Sequence, residues 1–168
     1  MKHFRLLIAV SMIILLFDQA TKLYIDAHFR LHETLPVVKG LFNLTYVRNK
    51  GAAFGILSDS AIRIPFFITV SLIAMLAILW YFNRLRQDQK LAAWGLSLVF
   101  AGAFGNLIDR IRLGEVIDFL DIYWRSYHWP AFNVADSAIS TGVFLLILDM
   151  WREERKKVRP DHSSLKAN

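Results

Sequence analysis

Residues 64–82 read IPFFITVSLIAMLAILWYF, 19 positions without a charge. Roughly 20 apolar residues carry a helix across a bilayer. Pro65 falls in the first turn, where its missing N–H is tolerated. The stretch reads as a membrane span, and the rest of the chain is organised around it. Asn83 to Lys90 follows as a short polar loop with Arg84, Arg86 and Lys90. Leu91 to Ile108 is again charge-free and forms another span, with Ala101, Gly102, Ala103 and Gly105 small enough to let helices approach closely. Val134 to Met150 is the last apolar segment, followed by a basic tail over 152–168.

Upstream of the opening stretch, Ala27 to Arg63 is the longest polar segment. Within it, residues 41–47 (LFNLTYV) are β-branched, aromatic and partly alternating, which predicts a short strand. Arg48-Asn49-Lys50-Gly51 is a turn signal, and Asn49 either makes that turn or offers its amide to a peptide backbone. The apolar stretch Ala52 to Leu57 is too brief to span and is expected to lie in the membrane interface. At the N-terminus, Lys2 and Arg5 precede an apolar run from Leu6 to Phe17, as in a signal peptide, but no small-x-small cleavage site follows. Residues 4–25 therefore read as a retained first span. Asp18 and Lys22 are four apart on one helical face, as a local ion pair or as a polar face turned towards a site.

These segments predict an all-α membrane protein with four transmembrane helices (about 4–25, 64–82, 91–108 and 134–150) and a small β-containing segment between the first two. At 168 residues it is a single integral membrane domain. Its residues are 55% hydrophobic, with a mean hydropathy of +0.38. An even number of spans puts both termini on one side. Eleven of the 20 basic residues sit in the N-terminus, the 83–90 loop and the tail, so that side is expected to be cytoplasmic. Trp80, Trp94 and Trp151 then mark the inner interface, and Trp124 and Trp129 the outer one. The net charge of +6 follows this topology pattern rather than a phosphate-binding stripe, so no nucleic-acid partner is expected.

Several chemistries are excluded. With no cysteine there is no disulfide, thiolate metal site or cysteine nucleophile. His32-Glu33 continues Thr-Leu-Pro and lacks the second histidine of a zinc-protease helix. His28 and His32 are four apart without a third ligand nearby, so no metal is expected. Gly51 to Gly55 lacks the serine of a nucleophile elbow, and there is no P-loop or dinucleotide fingerprint.

What remains is carboxylates, asparagines and an arginine at the expected outer ends of the spans. Residues 114–138 (GEVIDFLDIYWRSYHWPAFNVADSA) carry two acids in contrasting settings. An extended reading of 114–123 sets Asp118 with Val116, Leu120 and Ile122, and turns Glu115 and Asp121 to solvent. Asn133 is a good helix N-cap with Asp136 three residues on, so Asp136 is either a helix-start carboxylate or half of a catalytic pair. Asn106 and Arg110 share a face at the end of the third span, and Asn106 needs a hydrogen-bond partner there.

Five motifs in order carry a resemblance: Asp18-Gln-x-x-Lys22; Asn49-Lys-Gly-Ala-Ala-Phe54-Gly; Gly105-Asn106-Leu-Ile-Asp109-Arg110; Gly114-x-Val-x-Asp118-Phe119; and Phe132-Asn133-x-Ala135-Asp136. Together with the four-span layout, over residues from about 6 to 150, they resemble the bacterial lipoprotein signal peptidases, the type II signal peptidases. The resemblance implies an aspartic endopeptidase of the bacterial inner membrane with its site on the periplasmic side. Its substrates would be diacylglyceryl-modified prolipoproteins, cut on the amino side of the lipidated cysteine within membrane lipid. Globomycin-type peptides would inhibit it, and no cofactor would be needed. It further implies that Asp118 and Asp136 are catalytic, that Asn49, Asn106, Arg110 and Asn133 line the substrate site, and that Asp18, Lys22 and Asp109 form a supporting polar network. The competing class is a non-enzymatic four-helix transporter subunit or assembly factor. It leaves unexplained why the polar residues gather at the ends of the spans rather than at mid-membrane.

Overall fold

The computed structural model describes residues 2–51 and 62–158. The apolar stretch 52–57 and the tail beyond residue 158 lie outside the described residues. Four helices, α1 (Lys2–His28), α2 (Arg63–Phe82), α3 (Lys90–Leu113) and α4 (Val134–Val158), are each long and apolar enough to cross a membrane. Four strands, β1 (Thr34–Val38), β2 (Phe42–Asn49), β3 (Val116–Trp124) and β4 (Tyr127–His128), form one antiparallel sheet in the order β1-β2-β3-β4. The expected β segment between the first two helices is thus only half of the sheet. The other half comes from the connection between α3 and α4.

The last two helices run furthest past the apolar runs that announced them. The third continues past residue 108 because nothing in Asp109-Arg-Ile-Arg-Leu113 stops it. Gly114 does, taking φ +70 as a left-handed cap while its N–H donates to the Arg110 carbonyl at 3.0 Å. The fourth continues into the charged tail, where Lys156 pairs with Glu153 one turn back.

α3 is the central helix and packs against α1, α2 and α4. More than half of its most apolar stretch is buried, whereas hardly any of α2 is. Leu72, Ile73 and Leu76 of α2 and Phe144 and Ile147 of α4 stand on the outer surface, as side chains facing lipid do. Lipid offers no hydrophobic drive between helices, so close van der Waals packing must hold them. A Cβ at Gly95 would lie 2.8 Å from the Gly142 carbonyl, and one at Gly142 would lie 2.6 Å from that of Gly95. Further along, a Cβ at Gly102 would overlap the Ala135 carbonyl. At Gly105 it would lie 2.6 Å from Asp18 Oδ2. These glycines set how closely α1 and α4 approach α3.

The bundle has two different ends. At the termini end, Leu7, Ile78, Phe82, Ala93 and Leu96 form an apolar cluster. At the sheet end, Ile25 joins Tyr46, Ile117 and Phe119, fastening the sheet to α1. β3 is covered on both faces, which overturns the expectation that Asp121 is solvated. Asp121 is buried, accepting from Asn43 Nδ2 at 2.7 Å and pairing with His128 Nδ1 at 2.8 Å. Glu115 is also only partly exposed and lies 4.0 Å from Lys50. Strict alternation describes a strand with one wet face, and this strand has none over its first half.

Candidate active site

Asp118 and Asp136 arrive at one cavity by different routes. In the β2–β3 register Val47 faces Asp118 and Asn49 faces Val116, so Asn49 and Asp118 are diagonal neighbours on one face of the sheet. Asn49 Nδ2 donates to Asp118 Oδ2 at 2.9 Å, and Asn49 Oδ1 accepts from the Gly51 N–H at 3.0 Å. The asparagine thus makes its turn and meets the carboxylate with opposite ends of one amide. After β3 the chain turns through Arg125 at φ 58 and returns along β4. The Phe132 carbonyl accepts from the N–H groups of Phe119 (3.0 Å) and Leu120 (2.8 Å). That bridge brings Asn133 beside Asp118.

Asn133 caps α4. Its Oδ1 accepts from the Asp136 N–H at 2.9 Å, and Asp136 Oδ2 accepts from the Asn133 N–H at 3.2 Å. This is a reciprocal capping box, with an aspartate closing it. Because the backbone N–H holds the oxygen of the Asn133 side chain, its Nδ2 faces the other way and donates to Asp118 Oδ1 at 2.7 Å. One buried asparagine therefore touches both aspartates. Asn106 supplies the remaining donor, from Nδ2 to Asp136 Oδ1 at 2.7 Å.

Beneath this layer lies a buried charge cluster. Lys22 is 1% exposed and Asp18 and Asp109 are wholly buried. Lys22 Nζ sits 3.0 Å from Asp18 Oδ2, 2.9 Å from Asp109 Oδ2 and 3.0 Å from Asn106 Oδ1, so all three ammonium hydrogens have acceptors. The carboxylates are satisfied in turn. Asp18 Oδ1 accepts from the Ala135 N–H at 2.9 Å, in the first turn of α4, and Asp109 Oδ2 accepts from the Ile117 N–H at 3.2 Å. The cluster ties α1, α3, β3 and α4 together at the level of the two aspartates. The ion-pair and polar-face readings of Asp18 and Lys22 are both realised in one arrangement.

The cavity, of about 550 Å³, is lined by Asn49, Asn106, Arg110, Asp118 and Asp136 among others. Asn133 stands behind its wall, fully buried. The Arg110 guanidinium makes no hydrogen bond or ion pair among the described residues. It lies over the Phe67 ring at 4.7 Å, leaving its donors to the cavity. Burial pushes the Asp118 carboxyl up to about 7, with the charge of Asp136 adding to the rise and the donors Asn49 and Asn133 opposing it. All nine residues singled out in the sequence thus lie in the cavity wall or directly behind it.

This geometry belongs with a known group of proteins. Residues 10–152 match the family model of signal peptidase (SPase) II. The chain belongs to the signal peptidase II family. Lipoprotein signal peptidases of Geobacter metallireducens and Geobacter sulfurreducens are each 59% identical to it, over 92% of this chain and 96% of theirs. That of Syntrophotalea carbinolica is 52% identical over 90% of this chain and 94% of its own. A bacterial membrane enzyme solved by the in meso method at 2.3 Å is 34% identical, superposing with a TM-score of 0.82 over 92% of this chain and 93% of that one. A second, solved at 1.9 Å, is 35% identical with a TM-score of 0.73, covering 86% of this chain and 91% of that one.

Sequence reasoning passed over three members of this polar system. Gln19 Nε2 reaches Asp18 and Asp109, each at 3.1 Å, so it closes the cluster. Asp26 accepts from Tyr46 Oη and, at 2.9 Å, from Arg48 Nη2, fastening β2 to α1 just before Asn49. Asp26 lies four residues after Lys22, and that spacing was the available signal. Ser137 Oγ donates to the Asn133 carbonyl at 2.9 Å and lines the cavity, and no sequence signal marked it.

Proposed function

We propose that this chain is a membrane aspartic endopeptidase that removes the signal peptide from diacylglyceryl-modified prolipoproteins, cutting on the amino side of the lipidated cysteine. Family membership supports the protease and its prolipoprotein substrate. The single observation behind the residue assignment is a pair of aspartates on one cavity, joined through the buried amide of Asn133. Two carboxylates in such a site share one proton. The ionised member takes a proton from water as the water oxygen attacks the scissile carbonyl carbon. The protonated member donates to the carbonyl oxygen. When the tetrahedral intermediate collapses, the C–N bond breaks, the leaving nitrogen takes a proton from the pair, and a hydroxyl of the intermediate returns one to it as the carbonyl re-forms.

The apolar setting of Asp118, whose burial lifts its carboxyl to about 7, favours the shared proton there. Asp136, in the first turn of α4, receives the N-terminal field of the helix and is the base. Asn49, Asn106 and Arg110 face the substrate backbone and its polar groups, and globomycin-type peptides occupy the same cavity. Membrane lipid surrounds the one integral domain. The density of Lys and Arg at the termini end supports both termini in the cytoplasm and the sheet and site on the outer side of the bacterial inner membrane. Cleavage of a diacylated prolipoprotein by wild type, Asp118→Asn and Asp136→Asn tests the assignment, and substantial activity in either variant sinks it. A reporter fused after Lys90 tests the orientation, and an outer-side signal there overturns it.

A further inference from the structure

The two asparagines that donate to the aspartates are oriented by different means. An amide has an acceptor end and a donor end, and whatever holds one end decides what the other presents. For Asn133 the decision is local, because its oxygen accepts from the Asp136 N–H, a fixed donor in the first turn of its own helix. For Asn106 no backbone N–H serves among the described residues. Its oxygen accepts from Lys22 Nζ at 3.0 Å and from Asn133 Nδ2 at 3.2 Å. An ammonium has donors only, so the acceptor end of the amide must face Lys22 and the NH2 end must face Asp136. Turning the amide over would set its NH2 against a buried cation and its oxygen against a carboxylate.

We propose that Lys22 is a positioning residue of the reaction: it polarises and orients the Asn106 side chain so that Asn106 Nδ2 remains a donor to Asp136. This rests on the dyad reading above. Three observations carry it. Lys22 uses all three hydrogens and is 1% exposed, so the ammonium has no alternative placement. Asp18 and Asp109 hold the ammonium from α1 and α3, and a Cβ at Gly105 would lie 2.6 Å from Asp18 Oδ2, so the helix approach fixes its depth. The relay from Nζ to Asn106 to Asp136 Oδ1 uses hydrogen bonds of 3.0 and 2.7 Å. On this account the cluster on α1 does more than hold the helices together, because it sets the donor that meets one reacting carboxylate.

The test is a cycle built on Asp18→Asn, so that losing Lys22 strands one buried carboxylate rather than two. Lys22→Met with Asp18→Asn removes one positive and one negative charge, and the amide that replaces the carboxylate still offers an oxygen to the Ala135 N–H. Turnover of a synthetic diacylglyceryl-modified prolipoprotein peptide in detergent micelles is measured for Asp18→Asn, for K22M/D18N, for N106A/D18N and for K22M/D18N/N106A. Relative to Asp18→Asn, K22M/D18N is expected to lose roughly tenfold to a hundredfold in kcat, the size of a hydrogen bond to a charged group. Because Asn106 also lines the cavity, KM rises as well, but by less than kcat falls. The triple variant should be no slower than N106A/D18N, because Lys22 acts through Asn106. If K22M/D18N does not accumulate folded, K22M/D109N makes the same charge change on the other carboxylate and enters the same cycle. A kcat within about twofold of the reference, or losses that add in the triple variant, overturns the relay. Asp118→Asn is assayed alongside. Activity retained there overturns the dyad and the relay with it, whereas an inactive Asp118→Asn beside a fully active K22M/D18N overturns the relay alone.

Discussion

At the termini end of the bundle Arg86 donates to Asp88 at 3.2 Å and to Glu153 at 2.7 Å, while at the sheet end Lys22 donates to Asp18 and Asp109 at 3.0 and 2.9 Å. Bond lengths and chemical groups are alike, and the consequences differ. Arg86 is 60% exposed and Lys22 is 1% exposed. Around Arg86 the hydrogen bond it makes holds the Asp88 carboxyl below its usual range, with water screening the pair. At the sheet end burial lifts Asp118 to about 7. The same carboxyl group is thus held in its ordinary ionised form at one end and held ready to keep a proton at the other. Water decides between them: where it is excluded, charge must be matched hydrogen by hydrogen, and the matching fixes geometry.

If that contrast is right, the largest effects lie at the sheet end. Asp118→Asn and Asp136→Asn should each lower kcat by at least about a hundredfold, the scale of losing a general acid or base. Both should leave the thermal midpoint in detergent near or above that of wild type. Next comes Lys22→Met alone, which strands two buried carboxylates and should cost about 3–5 kcal/mol of stability, read from the thermal midpoint or from membrane accumulation. A Lys22→Met protein as stable as wild type would erase the difference between the two ends.

A third effect is smaller and depends on pH. The Asp118 carboxyl is raised in the folded protein from 3.8 to about 7, so between those values the folded state binds more protons than the unfolded one. Its contribution to stability is present at the acid end and is lost as pH rises through about 7. Asp118→Asn abolishes that titration, so its thermal midpoint should gain on wild type as pH is raised from about 4 to about 7. Wild-type kcat/KM should fall with an apparent midpoint near 7 on the basic side, a value that belongs to the pair of aspartates. A flat profile through that region would mean that Asp118 is not the proton carrier. The smallest effect is expected for Arg86→Ala, which should leave cleavage unchanged and lower the thermal midpoint less than Lys22→Met does, the difference fading in high salt. A loss comparable to that of Lys22→Met would show that exposure does not separate the ends.

Much of the candidate site could be read in the chain before any fold was known, and the reason differs by residue. The Asn133–Asp136 pair is a local device, three residues apart at a helix start, and it does in space what its spacing announced. Asp118 stood out by its apolar neighbours. Asp121 was misjudged, because alternation along a strand cannot tell whether its second face is covered, and His128 and Asn43 cover it from other strands. Gln19 went unweighed because its value lies in partners about 90 positions away, Asp109 and Arg112. The sheet was half expected, since a strand between α1 and α2 does not reveal that its partner lies between α3 and α4.

Four apolar helices follow from the sequence alone. Span length and internal backbone hydrogen bonding are properties of each segment, and the bilayer tests each segment separately. The order of motifs likewise marks the family without reference to shape. Which acids meet, and in what state, was decided only by the fold. Asn49 reaches Asp118 through a register between strands 69 positions apart, and Lys22 reaches Asn106 across 84, where glycines let helices close. Contacts of that kind depend on the distance between elements and on the exclusion of water, and neither is written in any one stretch of the chain.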